Sequence, residues 1–125
     1  MPEFYISTPI YYVNAAPHVG HAYTTIVADT IKRFRHMLGD RAYLTTGSDE
    51  HGQKVERSAV AAGLDPQRFV DRVSDAFRAE WDELGLEFDF FRRTSDPRHA
   101  LAVRKIFERC LANGAIYKGT YTGKY

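Results

Sequence analysis

Short apolar runs of strand length alternate with longer runs of helical period along this 125-residue chain, and glycines at 39, 47, 63, 85 and 114 close most of them. Residues 4–7 suit a strand that enters a Pro-rich turn, and residues 11–17 suit a loop. After Pro17, the side chains of Tyr23, Val27, Ile31, Phe34 and Leu38 recur at helical spacing up to Gly39. Residues 42–46 fit a second strand ending at Gly47, and a short helix over residues 53–62 ends at Gly63. Asp65-Pro66 supplies an N-cap and a first-turn proline. The helix that follows sets Phe69, Val70, Val73, Phe77, Trp81 and Leu84 on one face and stops at Gly85.

Residues 88–91 suit a third strand. Asp96-Pro97 repeats the cap-and-proline signal ahead of a helix whose expected buried stripe is Val103, Ile106, Phe107, Cys110 and Leu111. Residues 116–125 have hairpin character. Strands and helices alternating through short connections predict an α/β domain with a parallel sheet, whose ligands lie beyond the carboxyl ends of its strands.

A hydrophobic content of 44% with 14% aromatics is that of a globular chain and not a disordered one. At this length, folding buries roughly two thirds of the unfolded surface. The formal charge is only +1, so no basic patch argues for nucleic-acid binding within these residues. One cysteine, Cys110, makes neither an internal disulfide nor a cysteine zinc site, and its place in an apolar stripe predicts a buried thiol. The start of the chain lacks the pattern of a signal peptide, and no apolar run approaches the ~20 residues that span a bilayer. A reducing cytoplasm and no membrane association are the expectation.

Two clusters carry chemistry. In Pro17-His18-Val19-Gly20-His21, the histidines are three apart at a helix start, where free N–H groups and the positive end of the dipole favour phosphate. Gly20 lets a flat base or a phosphate approach the backbone. Spacing alone equally describes two solvated histidines. In Gly47-Ser48-Asp49-Glu50-His51-Gly52, glycines around acids describe an ordinary turn, or a carboxylate aimed at an ammonium group. Taken together, the clusters also allow a metal-dependent hydrolase holding an ion at His18, His21 and Asp49 or His51. In Pro9-Ile10-Tyr11-Tyr12, adjacent tyrosines fit core and surface packing, or a ring covering an apolar ligand side chain.

Residues 8–23 resemble the opening signature of methionyl-tRNA synthetases, with His18-Val19-Gly20-His21 similar to the HIGH-type element of class I synthetases. Residues 47–52 and the stretch from Asp65-Pro66 through Gly85 are similar to that family as well. The resemblance runs along essentially the whole chain, so other class I synthetases, for cysteine, leucine, isoleucine or valine, match less well. It implies the first half of a Rossmann-like, HUP-type nucleotide-binding fold over residues 1–115, then the start of a connective, zinc-knuckle insertion over residues 116–125. It implies a parent that makes methionyl-adenylate from methionine and ATP with Mg2+, and passes the aminoacyl group to methionine tRNA. His18, Gly20 and His21 would hold ATP, with His18 and His21 catalytic. Pro9, Ile10, Tyr12 and Asp49 would hold methionine. His51 receives no role. A structural zinc would lie beyond residue 125, with no metal held by this chain. The lysine-serine loop of the family has no counterpart among Lys32, Lys54, Lys105, Lys118 and Lys124, so the 125 residues alone are expected to be inactive.

Overall fold

The computed structural model describes residues 2–120, which form two compact units over residues 2–95 and 96–120. The first contains β1 (Glu3–Ser7), β2 (Tyr11–Tyr12), α1 (Val19–Met37), β3 (Arg41–Asp49), α2 (Gln53–Ala61), α3 (Pro66–Glu83) and β4 (Phe90–Arg93). Among the described residues all strand pairings are parallel, as the alternation predicts; all involve β3, and one of them uses Tyr11–Tyr12, a stretch the sequence pattern reads as loop. Thr45 pairs with both Ser7 and Phe90, and Ser48 with both Tyr11 and Arg93. A strand has two edges, so β1 and β2 lie in succession along one edge of β3 and β4 along the other.

β3 runs past its predicted end. Gly47 does not begin a loop but pairs with Arg92, and pairing on the other edge reaches Asp49 opposite Tyr12. Glycine is demanded there by close approach: a Cβ on Gly47 would lie 1.9 Å from the Arg92 carbonyl oxygen. The even-numbered side chains Ala42, Leu44, Thr46 and Ser48 are buried, the period of two expected of a pleated strand. β4 lies two residues later than the apolar pattern of residues 88–91 suggests, because Phe88 packs against the core and Asp89 accepts the Leu44 N–H at 2.7 Å.

The core gathers Tyr11 and Val13 from the β2 region, Val55 and Ala59 from α2, Phe69, Val70, Val73, Phe77 and Trp81 from α3, and Leu86. α3 forms where predicted, with Asp65 accepting the N–H groups of Gln67 and Arg68. Leu84, assigned to its apolar face, is 46% exposed because it caps the helix instead of lying on its inner side.

α1 turns a polar side inward. Its buried residues are Thr25, Ala28, Asp29 and Lys32, while Tyr23, Val27, Ile31, Phe34 and Leu38 all stay exposed. Hydrogen bonds dictate this orientation. Asp29 accepts the Glu87 N–H at 3.2 Å, Lys32 pairs with Asp89 at 2.9 Å, and Arg33 donates to the Gly85 carbonyl at 2.8 Å. These contacts pin α1 to the connection between α3 and β4.

The second unit holds α4 (Pro97–Ala112), capped by Asp96 as the sequence predicts. Its stripe is not buried: Val103, Ile106, Phe107 and Leu111 are at least half exposed, and Cys110 is half-buried. Among the described residues of this unit the helix is the one regular element, and none of them supplies an apolar face to cover it. Residues 115–120 lack regular structure, so no hairpin is formed there, and the rest of that expected hairpin lies outside the described residues.

Candidate functional site

The chain passes from β1 through β2 and residues 13–18 into α1, and the parallel β3 ends beside β2 at Asp49. A cavity of about 430 Å³ opens there, lined by Pro9, Ile10, Tyr11, Tyr12, Asn14, Ala15, Ala16, His18 and His21. Sequence reasoning named Pro9, Ile10, Tyr12, His18 and His21, and all five share this cavity. Asp49 is not among its lining residues. It sits one strand over, in register with Tyr12.

His18 is the N-cap of α1, in extended conformation, and the two imidazoles cap the helix reciprocally. The Gly20 N–H donates to His18 Nδ1 at 3.1 Å, and the His18 N–H donates to His21 Nδ1 at 3.3 Å. Two of the helix's orphan N–H groups are thus satisfied by ring nitrogens. A nitrogen that accepts carries no proton, so each neutral ring holds its hydrogen on Nε2. The rings stack with centroids 3.7 Å apart. The cap itself demands glycine at position 20: a Cβ there would meet the His18 ring at 3.0 Å and crowd it out of the capping position.

His21 leans on an apolar wall. Its ring lies 4.9 Å from Tyr11 and 5.0 Å from Phe77, and Phe77 is backed by Trp81 at 5.7 Å. Burial, with His18 alongside, lowers the His21 pKa from its ordinary value of 6.5. Tyr11 Oη meets Thr25 Oγ1 at 2.9 Å, and Thr25 donates to the His21 carbonyl at 3.1 Å, which ties β2 to the first turn of α1. With Nδ1 of both rings used in capping, the site presents two Nε2–H donors at a helix N-terminus, an arrangement suited to oxygens on which negative charge grows.

Beyond β3, Glu50 is buried inside a ring of donors. Its Oε1 accepts from Ser48 at 2.8 Å, Ser74 at 2.5 Å and Arg93 at 2.6 Å, and its Oε2 accepts from Ser95. Burial works to raise its pKa, but those four hydrogen bonds outweigh it and hold the carboxyl below its usual range. Arg93 is shared with Asp71 at 2.6 Å. Sequence reasoning missed this network, and it missed Tyr11, Phe77 and Trp81 as support for His21. Strand alternation through residue 50 would have pointed Glu50 inward. His51 is exposed, with Nε2 3.3 Å from the Thr94 carbonyl.

Among the described residues, no group of three or more histidine, cysteine, aspartate or glutamate side chains converges as a metal site. No helix there is long and apolar enough to cross a membrane.

The chain is similar to the methionine–tRNA ligase of Helicobacter pylori strain J99, with 46% identity over its whole length, and to that of Thermotoga maritima, with 49% identity over 98% of it. It spans only 19% and 20% of those two proteins. Among solved structures, Mycobacterium tuberculosis methionyl-tRNA synthetase in complex with methionyl-adenylate superposes with a TM-score of 0.89 at 42% identity. That match covers 91% of this chain and 22% of the other. A leucine counterpart, LeuRS of Agrobacterium radiobacter K84 in a ternary complex with tRNA and LeuAMS, superposes at 0.86 with 25% identity, covering 93% of this chain and 15% of the other. The Rossmann-like α/β fold expected from sequence is the fold of these neighbours. The family model described as tRNA synthetases class I (M) matches residues 4–125, and the chain belongs to that family.

Proposed function

We propose that these residues form the nucleotide- and amino-acid-binding part of a methionine–tRNA ligase. The observation that carries this reading is the helix start where His18 and His21, with Nδ1 used in capping, keep Nε2–H for a ligand in the cavity that Pro9, Ile10 and Tyr12 also line. ATP, with Mg2+ as its counter-ion, lays its phosphates across α1's N-terminus. The methionine carboxylate attacks the α-phosphorus, pyrophosphate departs, and methionyl-adenylate remains for transfer to methionine tRNA. His18 and His21 stabilise the charge that builds on the phosphate oxygens. Gly20 leaves the helix start bare toward the nucleotide. Asp49 receives the methionine ammonium, and Pro9, Ile10 and Tyr12 flank the thioether chain. A thioether's length and polarizable sulfur separate it from shorter apolar chains, each methylene being worth ~1–3 kcal/mol.

Residues 1–115 are assigned to the first half of the catalytic domain and residues 116–125 to the start of the connective insertion. The protein is placed in the cytoplasm, and the structural zinc is assigned to the parent outside this chain. Amino-acid-dependent ATP–pyrophosphate exchange by the full-length enzyme tests the reading. Exchange driven by methionine and not by leucine, isoleucine, valine or cysteine is the expected result. Exchange driven best by one of the others would overturn it.

A further inference from the structure

We infer that Glu50, which does not line the ligand cavity, is a positioning residue for Asp49 and thereby sets methionine affinity. This rests on the reading of Asp49 as the ammonium partner. The Glu50 side chain has 0% exposure and gathers donors from β3 (Ser48), α3 (Ser74), β4 (Arg93) and the turn after β4 (Ser95). The backbone is stapled at the same place. The Glu50 N–H donates to Thr94 Oγ1 at 2.8 Å, and the Thr94 N–H donates to the Ser48 carbonyl at 3.2 Å. Ser48 and Glu50, the chain neighbours of Asp49, are thereby tied to β4 and α3, and Tyr12 pairs with Asp49 on the other edge of β3.

Side chains alternate along a strand, so anchoring Ser48 and Glu50 inward turns Asp49 to the opposite face. Gly47, one residue before this segment, allows β4 close enough for Arg93 to reach Glu50. Two carboxylates, Glu50 and Asp71, share the single guanidinium of Arg93. A buried ion pair contributes little net stability compared with apolar packing of equal volume. Its service in this place is orientation, since a charge-assisted bond restricts rotation at both partners. A misplacement of about 1 Å in a substrate-positioning group is enough to cost about a hundredfold in rate.

The test is a double-mutant cycle in the full-length enzyme, read as KM for methionine and KM for ATP in pyrophosphate exchange. Asp49→Asn, Glu50→Gln and the double variant are compared. Glu50→Gln is expected to raise the methionine KM about tenfold while moving the ATP KM less than about threefold. In the double variant, Glu50→Gln adds little to Asp49→Asn, because both act through one carboxylate. Additive effects, or equal changes in both KM values, would show general damage to the fold and overturn the inference. Should Glu50→Gln not fold, Ser95→Ala removes one donor only and takes its place in the same cycle, with a smaller rise of the same selectivity. If Asp49→Asn leaves the methionine KM unchanged, the assignment of Asp49 fails. If Asp49→Asn raises it and neither Glu50→Gln nor Ser95→Ala does, the role of Glu50 alone fails.

Discussion

His18 and His21 stack at 3.7 Å while each accepts a backbone N–H of the same helix start on Nδ1. This fixes more than geometry. Protonating either Nδ1 removes a helix cap and sets a ring N–H against a backbone N–H, close to the positive end of α1. The capping geometry accordingly calls for the Nε2–H tautomer at both rings. Nitrogen-15 NMR of histidine-labelled chain at neutral pH should show both rings as Nε2–H tautomers. An Nδ1–H tautomer at either residue would refute the capping scheme.

Acid should loosen this end of the helix. The folded pKa of His21 lies below 6.5, through burial first and His18 second. A depressed pKa means that the stabilisation is complete above 6.5 and is lost as pH falls through the folded value. Amide exchange in the first turn of α1 is expected to quicken in that window while α3 stays protected. Uniform protection of both helices as the pH is lowered would contradict it.

A second acid transition belongs to the carboxylates. Asp71 is lowered chiefly by Arg93 and Gln67. In Glu50 and Asp89, hydrogen bonds and ion pairs outweigh an opposing burial effect. All three lie below ordinary values of 4.5 for Glu50 and 3.8 for both aspartates, so their contribution holds above that range and disappears as pH falls through the folded values. Melting of Glu50→Gln chain should therefore depend less steeply on pH below that range than melting of the unaltered chain. Equal steepness would assign the acid sensitivity elsewhere.

Gly47→Ala should destabilise the chain by on the order of 3 kcal/mol, because its Cβ would lie 1.9 Å from backbone that cannot move without parting β3 from β4. Gly39→Ala meets nothing within 4 Å, and at φ +87° costs about 1 kcal/mol of conformational strain. Urea denaturation of the two variants measures the contrast, and equal losses would mean that the sheet accommodates the methyl group.

Phe77→Ala removes a core ring that also supports His21. A loss of about 3–5 kcal/mol is expected from the cavity. The added water around His21 should also bring its titration back toward 6.5. An unchanged His21 titration in a folded variant would show that Phe77 is not what shields it.

Much of the fold was legible because period and punctuation agree. Asp65-Pro66 and Asp96-Pro97 begin helices as local chemistry dictates, and the inner face of α3 is nearly the one its spacing predicts. Three readings failed where longer-range contacts decide. Gly47 signals a turn locally, yet here it answers to the approach of β4. The apolar side of α1 suggests a core face, yet Asp29, Lys32 and Arg33 find their partners in residues 85–89 and turn the helix over. α4 has a clear stripe, and the described residues of its own unit form no other element to receive it. Of the candidate site, the grouping of the histidine pair with Pro9, Ile10 and Tyr12 around one cavity was readable from spacing and resemblance. The network around Glu50 was not, because its members lie up to 47 positions apart, from Ser48 to Ser95.

The 125 residues alone should not carry out methionine-dependent pyrophosphate exchange. They span about a fifth of their curated relatives, and groups that act as a unit lose activity out of proportion when separated. Exchange by the purified chain at a rate near that of the full enzyme would show that the ATP site is complete within it.

The division of labour between the helix start and the end of β3 is tested most directly by steady-state kinetics of pyrophosphate exchange in full-length His21→Ala and Asp49→Ala enzymes. His21→Ala should lower turnover with ATP about a hundredfold and leave the methionine KM within about threefold, while Asp49→Ala should raise the methionine KM tenfold or more. The same pattern of losses in both variants would contradict separate seats for phosphate and ammonium.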